Sequence, residues 1–124
     1  MNIVILTGNL CKEIELRYTN NGKAVVSNCI AVKRDYKEED GNYLTDFINF
    51  VAWGKSAEYL ATYAKKGDRI ELSGRWQTRE YMNDQNEKRI VNEVQVNSIS
   101  VFSKQPREDQ EPKLEPVDDG DLPF

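Results

Sequence analysis

The order of secondary-structure signals along the first 102 residues is the feature that most limits the possible folds. Five segments are rich in apolar and β-branched residues, and one segment has the i, i+4 apolar spacing of a helix. The predicted strands are residues 2–11, 23–33, 43–53, 69–81 and 88–102. Asn21-Gly22 and Asp40-Gly41 separate the first three strands, because glycine tolerates the positive φ of hairpin turns. The chain is therefore predicted to be mainly β.

The single short helix is predicted between the third and fourth strands. Ser56 is its predicted N-cap, Lys65 and Lys66 lie in its last turn, and Gly67 follows at the C′ position. Five strands with one helix after the third is the order of the OB-fold, a five-stranded, partly open Greek-key barrel that binds oligonucleotides and oligosaccharides. Because chance arrangements can imitate this order, the binding face has to be derived from side chains.

The composition disfavours an enzyme. The chain has no histidine, the commonest general base and transition-metal ligand, and its carboxylates are scattered without recognisable pairing. Cys11 and Cys29 lack the Cys-x-x-Cys spacing, so we expect free thiols, with a disulfide as the less favoured alternative. No apolar run is long enough to span a bilayer, which favours the cytoplasm. We predict no catalytic residue, no cofactor and no metal.

The composition changes at residue 103. All four prolines lie in residues 103–124, which carry 3 basic and 7 acidic side chains, whereas residues 1–102 carry 14 of each. A polar, charged segment with few apolar residues cannot bury enough surface to fold. We therefore predict a folded domain at residues 1–102, a disordered linker at 103–117 and an acidic tip at 118–124.

Strand alternation sorts the aromatic residues of the domain into inward and outward sets. In the third strand Phe50 is predicted to face the core, and Phe47 and Trp53 to face outward together with Asn49 and Val51. In the fourth strand Trp76 is predicted to face inward with Ile70, Leu72 and Gly74, and Tyr81 to face outward with Arg75 and Arg79.

Outward aromatic rings beside cations are costly unless something covers them. Single-stranded nucleic acid is one possible cover, because its bases stack on rings while Lys and Arg follow the phosphates. The alternatives are a core or subunit-interface position for Phe47 and Trp53, and a plain exposed tyrosine for Tyr36 and Tyr81.

An ordered set of short motifs resembles one family. The motifs are NIVILTGNL at 2–10, ELRYT at 15–19, DFIN at 46–49, WGK at 53–55, KG at 66–67, GR at 74–75, QTR at 77–79 and DLPF at 121–124. Together they resemble the bacterial single-stranded DNA-binding proteins. The resemblance implies an OB-fold that assembles as a homotetramer, binds single-stranded DNA without strong sequence preference during replication, recombination and repair, and does no chemistry. It also implies a cytoplasmic, nucleoid-associated protein.

The resemblance assigns functional residues by position. It implies base stacking by Tyr36, Phe47, Trp53 and Tyr81, although many members of the family have tryptophan where this chain has Tyr36, Phe47 and Tyr81. The implied phosphate contacts are Arg34, Lys55, Arg75, Arg79 and Arg89, with Lys33, Lys37, Lys65, Lys66 and Lys88 as secondary candidates.

The acidic tip has its own implied role. In the family it is a peptide that docks into pockets of replication, recombination and repair proteins, with its apolar end buried and its carboxylates facing Arg or Lys. The residues concerned are Asp118, Asp119, Asp121, Leu122, Pro123 and Phe124. Two other classes stay open: an OB-domain protein that binds partners through its barrel, and a small enzyme acting on oligonucleotides through a metal or an acid–base cluster.

Overall fold

A computed structural model describes residues 1–102 as six strands and one helix. The strands are β1 (Val4–Leu10), β2 (Arg17–Tyr18), β3 (Ala24–Lys37), β4 (Tyr43–Trp53), β5 (Arg69–Met82) and β6 (Lys88–Val101). The helix is α1 (Lys55–Tyr63), between β4 and β5. The predicted linker and acidic tip, residues 103–124, lie outside the described residues.

The strands form one closed sheet. Their order is β1-β5-β6-β4-β3-β2, and β1 also pairs with β3, which joins the two sides of the sheet into a barrel. All pairings are antiparallel except that of β4 with β6, where Phe50 lies opposite Val94. The five long strands and the helix after the third of them confirm the predicted OB-fold. The two-residue strand β2 is an addition that the sequence pattern did not indicate.

Two glycines allow the barrel to close tightly. A Cβ atom on Gly8 would overlap the backbone carbonyl of Ala31, where β1 meets β3. A Cβ atom on Gly74 would overlap the carbonyl of Gln95, at a bulge in the pairing of β5 with β6. Both positions therefore require a residue without a side chain, as strand glycines often do where backbones approach closely.

The core fills the inside of the barrel and is covered at one end by α1. Its largest fully buried side chains are Phe50, Ile30, Leu60, Ile70, Leu72, Val26, Val94 and Val101. Tyr59 and Tyr63 of the helix pack against this core, and the Tyr59 hydroxyl accepts a hydrogen bond from the Val101 N–H at 3.0 Å. Cys11 and Cys29 are free thiols, as predicted.

The ends of the helix differ from the prediction. Gly54, with φ of 58°, occupies the N-cap position rather than Ser56, and the helix ends at Tyr63. The two lysines therefore lie beyond it, because a separate turn forms there: the Lys65 N–H donates to a carboxylate oxygen of Asp68, and the Asp68 N–H donates back to the Lys65 carbonyl. Gly67, with φ of 92°, belongs to this turn.

Two predicted exposures are wrong. Trp76 is 44% exposed rather than buried in the core, because β5 pairs with β1 only up to Gly74 and, among the strands of residues 1–102, has β6 alone as its neighbour beyond that point. Val51 is buried rather than exposed like Phe47, because it sits in a central strand between Ser27 of β3 and Gln95 of β6.

Candidate nucleic-acid interface

The strand register brings several predicted site residues onto one side of the barrel. Trp53 and Phe47 alternate with the core residues of β4, and Val51, between them on the same side, lies opposite Gln95 of β6. Gln95 in turn lies opposite Arg75 of β5. Continuing along β5 at every second residue adds Arg79 and Tyr81. We call the surface formed by Phe47, Trp53, Arg75, Arg79 and Tyr81 the aromatic face.

The rings of the aromatic face are open to solvent. Phe47 is 68% exposed and Trp53 is 37% exposed, and Tyr81 is exposed as well. These positions exclude the alternative of a place in the core for Phe47 and Trp53. An exposed phenylalanine in the middle of a long strand has its apolar surface in water, which marks the face as a surface for a ligand or a partner.

A chain of hydrogen bonds holds Trp53 in place. The Trp53 Nε1 donates to Oε1 of Gln95 at 3.0 Å, and Nε2 of Gln95 donates to Oε2 of Glu93 at 3.1 Å. The same Glu93 oxygen accepts from Nε of Arg79 at 2.9 Å. The Lys23 ammonium lies 5.2 Å from the centre of the Trp53 ring, within cation–π range. The indole and the guanidinium therefore belong to one network.

Three of the five predicted phosphate contacts are already in ion pairs. Arg34 holds Asp46 with two hydrogen bonds of 3.0 and 3.1 Å, and Arg89 holds Glu87 at 2.9 Å, in addition to the pair of Arg79 with Glu93. Within residues 1–102, Arg75 and Lys55 make no ion pair. These pairs could not be predicted from the sequence, because each depends on turn geometry or on strand register.

The pair of Arg34 with Asp46 shifts both titrations. Hydrogen bonding to Asp46, with a further bond to Tyr36, raises the pKa of Arg34 above its usual value. Hydrogen bonding to Arg34 lowers the pKa of the Asp46 carboxyl. Each charge of the pair therefore favours the ionised form of the other.

Tyr36 stands apart from the aromatic face. It lies in a bulge of β3 between Lys33 and Lys37, next to Arg34. Arg34 reaches Asp46, which points to the opposite side of β4 from its neighbour Phe47. The structure thus leaves Tyr36 exposed, as predicted, but on the other side of the β3–β4 hairpin.

The remaining predicted cations lie outside the aromatic face, on several different elements. Lys55 is the first residue of α1, and Lys65 and Lys66 are exposed in the turn that follows the helix. Lys88 pairs with Glu80 at 3.3 Å. Lys33 and Lys37 lie close to the ring of Tyr43, an aromatic residue that the sequence analysis did not single out.

Two kinds of feature are missing from residues 1–102. They contain no group of three or more Cys, Asp or Glu side chains placed to hold a metal ion. No helix within them has the length and apolar character needed to cross a bilayer.

Comparison with known proteins gives one consistent family. The sequence pattern of the Single-strand binding protein family matches residues 1–102. Single-stranded DNA-binding protein 1 of Streptococcus pyogenes is 45% identical over 104 residues, which are 84% of this chain and 80% of that protein. Single-stranded DNA-binding protein A of Bacillus subtilis is 44% identical over 99 residues, which are 80% of this chain and 58% of that protein. A single-stranded DNA-binding protein of Streptococcus mutans is 40% identical over 111 residues, or 89% of this chain and 68% of that protein.

Proposed function

Because the chain belongs to the single-strand binding protein family, we propose that it binds single-stranded DNA without strong sequence preference and does no chemistry on it. Its task is to coat and protect exposed strands in the cytoplasm, at the nucleoid, during DNA replication, recombination and repair. The names of its relatives, which give single-stranded DNA as their ligand, support this proposal.

The observation that carries the proposal is the aromatic face. Stacking a base on an aromatic ring contributes about 1–3 kcal/mol in proteins that bind single strands, this family among them, and it tolerates any sequence because every base has a flat π surface. Phe47 is 68% exposed and Trp53 is 37% exposed, and Arg75, which lines the same surface as Trp53, has no carboxylate partner within residues 1–102. On this face, the rings can stack on the bases of a single strand while the unpaired cation contacts its phosphates.

The proposed roles follow the sequence prediction. Tyr36, Phe47, Trp53 and Tyr81 stack on bases, and Arg34, Lys55, Arg75, Arg79 and Arg89 contact phosphates. Because Tyr36 lies on the other side of the β3–β4 hairpin, a strand that contacts both Tyr36 and Phe47 passes around that hairpin. Wrapping of this kind fits a protein that coats DNA.

A fluorescence titration with oligo-dT tests the face. Phe47→Ala removes an exposed ring, so we expect binding of oligo-dT to weaken by about 1–3 kcal/mol. Tyr18→Ala is the matched control, because Tyr18 is also exposed but lies opposite the core residue Ala24, away from the aromatic face. Equal affinity of Phe47→Ala and the control would reject the face as the DNA-binding surface.

The salt dependence of binding tests the phosphate contacts. On single strands, log K falls with log salt by about 0.7 for each phosphate that the protein neutralises. The Arg75→Gln variant should therefore lower the slope by about 0.7, and a slope equal to that of the unmodified protein would argue against the contact.

We further propose that the acidic tip recruits replication, recombination and repair proteins. Asp118, Asp119, Asp121, Leu122, Pro123 and Phe124 lie outside the described residues, so the support is their chemistry: carboxylates for basic pocket rims, and apolar side chains for the pocket itself. Removing residues 118–124 should leave oligo-dT binding intact and abolish capture of partner proteins. Partner capture by the shortened chain would contradict this role. The test also probes the proposed division into a domain at 1–102, a linker at 103–117 and a tip.

Self-association into a homotetramer completes the proposal. Within residues 1–102 the aromatic face is not the only exposed apolar surface: Ile3, Ile5, Trp76, Met82 and Ile90 are each exposed by more than two fifths. Such side chains mark subunit contacts when they cluster. Native mass spectrometry should give a mass four times that of the chain, and Ile5→Lys should lower it.

Incubation of labelled oligonucleotides with the protein and Mg²⁺ tests the absence of chemistry. We expect the oligonucleotides to remain uncut, whereas cleavage that depends on the protein would favour the enzyme class that the sequence analysis left open.

A further inference from the structure

Tyr43 extends the row of exposed aromatic side chains along β4. Residues of equal parity on a strand share a face, so Tyr43 and Thr45 point to the same side as Phe47. Tyr43 is 40% exposed and lies four residues before Phe47, which is about 13 Å along an extended strand. The proposed function assigns no role to this ring.

Two lysine ammonium groups lie close to the Tyr43 ring. The Nζ atom of Lys33 lies 4.5 Å from the ring centre, and that of Lys37 lies 5.7 Å from it. Within residues 1–102 neither lysine makes an ion pair, which distinguishes them from Arg34, Arg79 and Arg89. Their charges are therefore free to meet a phosphate beside the ring.

Tyr43 also lines a groove on this side of the barrel. The groove has a volume of about 700 Å³, within the range of ligand-binding clefts. Gly8 and Ala31 form its floor where β1 crosses β3, and Lys33 and Arg69 flank it. Asp35 is the single carboxylate among its lining residues. Within the described part of the chain, the Arg69 guanidinium donates one long hydrogen bond, of 3.5 Å, to Oδ1 of Asn9.

We propose that this groove is a further subsite for single-stranded DNA, in which Tyr43 stacks on a base beyond Phe47 and Lys33, Lys37 and Arg69 contact the flanking phosphates. The inference rests on the proposed function. A polyanion is the fitting occupant because two ammonium groups lie against the ring, Arg69 lines the groove, and Asp35 is the one carboxylate among the lining residues. The groove joins the aromatic face directly, since Ala31 of its floor lies opposite Phe47. The same strand can therefore continue from one to the other.

Three variants separate the ring from its surroundings. Tyr43→Ala should weaken oligo-dT binding about fivefold, the low end for a base stack. Tyr43→Phe keeps the ring and should bind as the unmodified protein does. Leu44→Ala is the matched control, since Leu44 is equally exposed on the neighbouring position but points to the other side of β4. All three changes lie at exposed positions, so circular dichroism should show an unchanged fold.

The length of the oligonucleotide gives a second readout. The loss in Tyr43→Ala should appear with oligo-dT of about 16 nucleotides and vanish with about 4, the two ends of the range of site sizes for one OB-fold. Replacing Lys33 and Lys37 together by Gln should lower the salt slope by about 1.4, because each lysine neutralises one phosphate.

Phe47→Ala, measured in parallel, separates failure of this inference from failure of the proposed function. If Phe47→Ala weakens binding while Tyr43→Ala binds as tightly as Leu44→Ala, the groove is not a subsite and the function stands. A loss in Tyr43→Ala that is equal for short and long oligonucleotides also overturns the inference. If the unmodified protein does not bind oligo-dT, both fail together.

Discussion

Replacing Arg79 by alanine tests whether this arginine serves the DNA alone or also stabilises the fold. Its Nε atom lies 2.9 Å from Oε2 of Glu93, whose side chain is 5% exposed. Within residues 1–102 the only other donor to that oxygen is Nε2 of Gln95. Truncation leaves a nearly buried carboxylate without its cation. Breaking a fully buried pair costs about 3–5 kcal/mol, and a hydrogen bond to a charged group is worth about 1.5–3 kcal/mol. Because the Arg79 side chain is 52% exposed, water can enter its place. We therefore expect a loss of about 2 kcal/mol in the free energy of unfolding.

Arg89 provides the matched comparison on the same hairpin. It pairs with Glu87 at the same distance of 2.9 Å, but both side chains of that pair are more than half exposed. Exposed pairs contribute about 0–1 kcal/mol, so Arg89→Ala should leave stability almost unchanged. Both variants lose one proposed phosphate contact whose charge a carboxylate partly cancels, so each should lower the salt slope of DNA binding by a similar amount, at most about 0.7. Adding Glu93→Gln to Arg79→Ala should restore most of the stability and none of the slope.

Urea unfolding and oligo-dT binding, measured on the same preparations, show whether Arg79 stabilises the fold, contacts DNA, or does both. All unfolding curves are taken at one protein concentration, because the apparent stability of an assembly depends on concentration. Equal unfolding free energies for Arg79→Ala and Arg89→Ala would refute the reasoning, since burial of Glu93 would then have no energetic effect. A salt slope that falls in Arg89→Ala only would show that Arg79 is purely structural.

Three further outcomes follow from individual contacts. Gly74→Ala places a Cβ atom against the Gln95 carbonyl and should lower the free energy of unfolding in urea by about 1–3 kcal/mol. Gln95→Ala removes the acceptor of the Trp53 indole and should weaken oligo-dT binding by about 0.5–1.5 kcal/mol in the fluorescence titration, with unchanged circular dichroism. Burial, together with the hydrogen bond to Cys29, raises the pKa of Cys11 from 9.0 to about 12. The unfolded chain therefore loses this proton first, and stability should fall between about pH 9 and pH 12 by more in the unmodified protein than in Cys11→Ser, as urea midpoints across that range would show.

The sequence was sufficient for the five long strands and for the sides to which the residues of β4 point. Alternation placed Phe50 inside and Phe47 and Trp53 outside, because β4 runs through the barrel wall with one side against the core along most of its length. Alternation failed for Trp76. Parity tells which residues share a side, but it does not tell where the neighbouring strand stops, and β1 leaves β5 at Gly74. Exposure beyond that point is a property of the tertiary structure.

The ion pairs were beyond sequence reasoning for a related reason. Arg34 and Asp46 are 12 residues apart, and Arg79 and Glu93 are 14 apart, so each pair forms only when a hairpin has one particular register. The bulge between Lys33 and Lys37 shifts that register in β3, and no residue of the turn predicts the bulge. The end of α1 was predicted wrongly because a carboxylate oxygen of Asp68, outside the helix, accepts a hydrogen bond from the Lys65 backbone N–H.

The ion pairs also bear on how a domain with 14 basic and 14 acidic side chains binds a polyanion. A domain without net charge has little long-range attraction for DNA, so the attraction has to arise at close range. Arg79 uses Nε for Glu93, which leaves its two terminal nitrogens to donate to a phosphate. Arg34 uses Nε and Nη2 for Asp46 and also bonds to Tyr36, so fewer of its donors remain for a phosphate. Each carboxylate thus fixes the direction of a guanidinium and at the same time cancels its charge. Such an arginine can orient a strand but attracts it weakly, so affinity should depend more on the stacked rings than on the number of cations, and the salt slope should stay below that expected for five unpaired phosphate contacts.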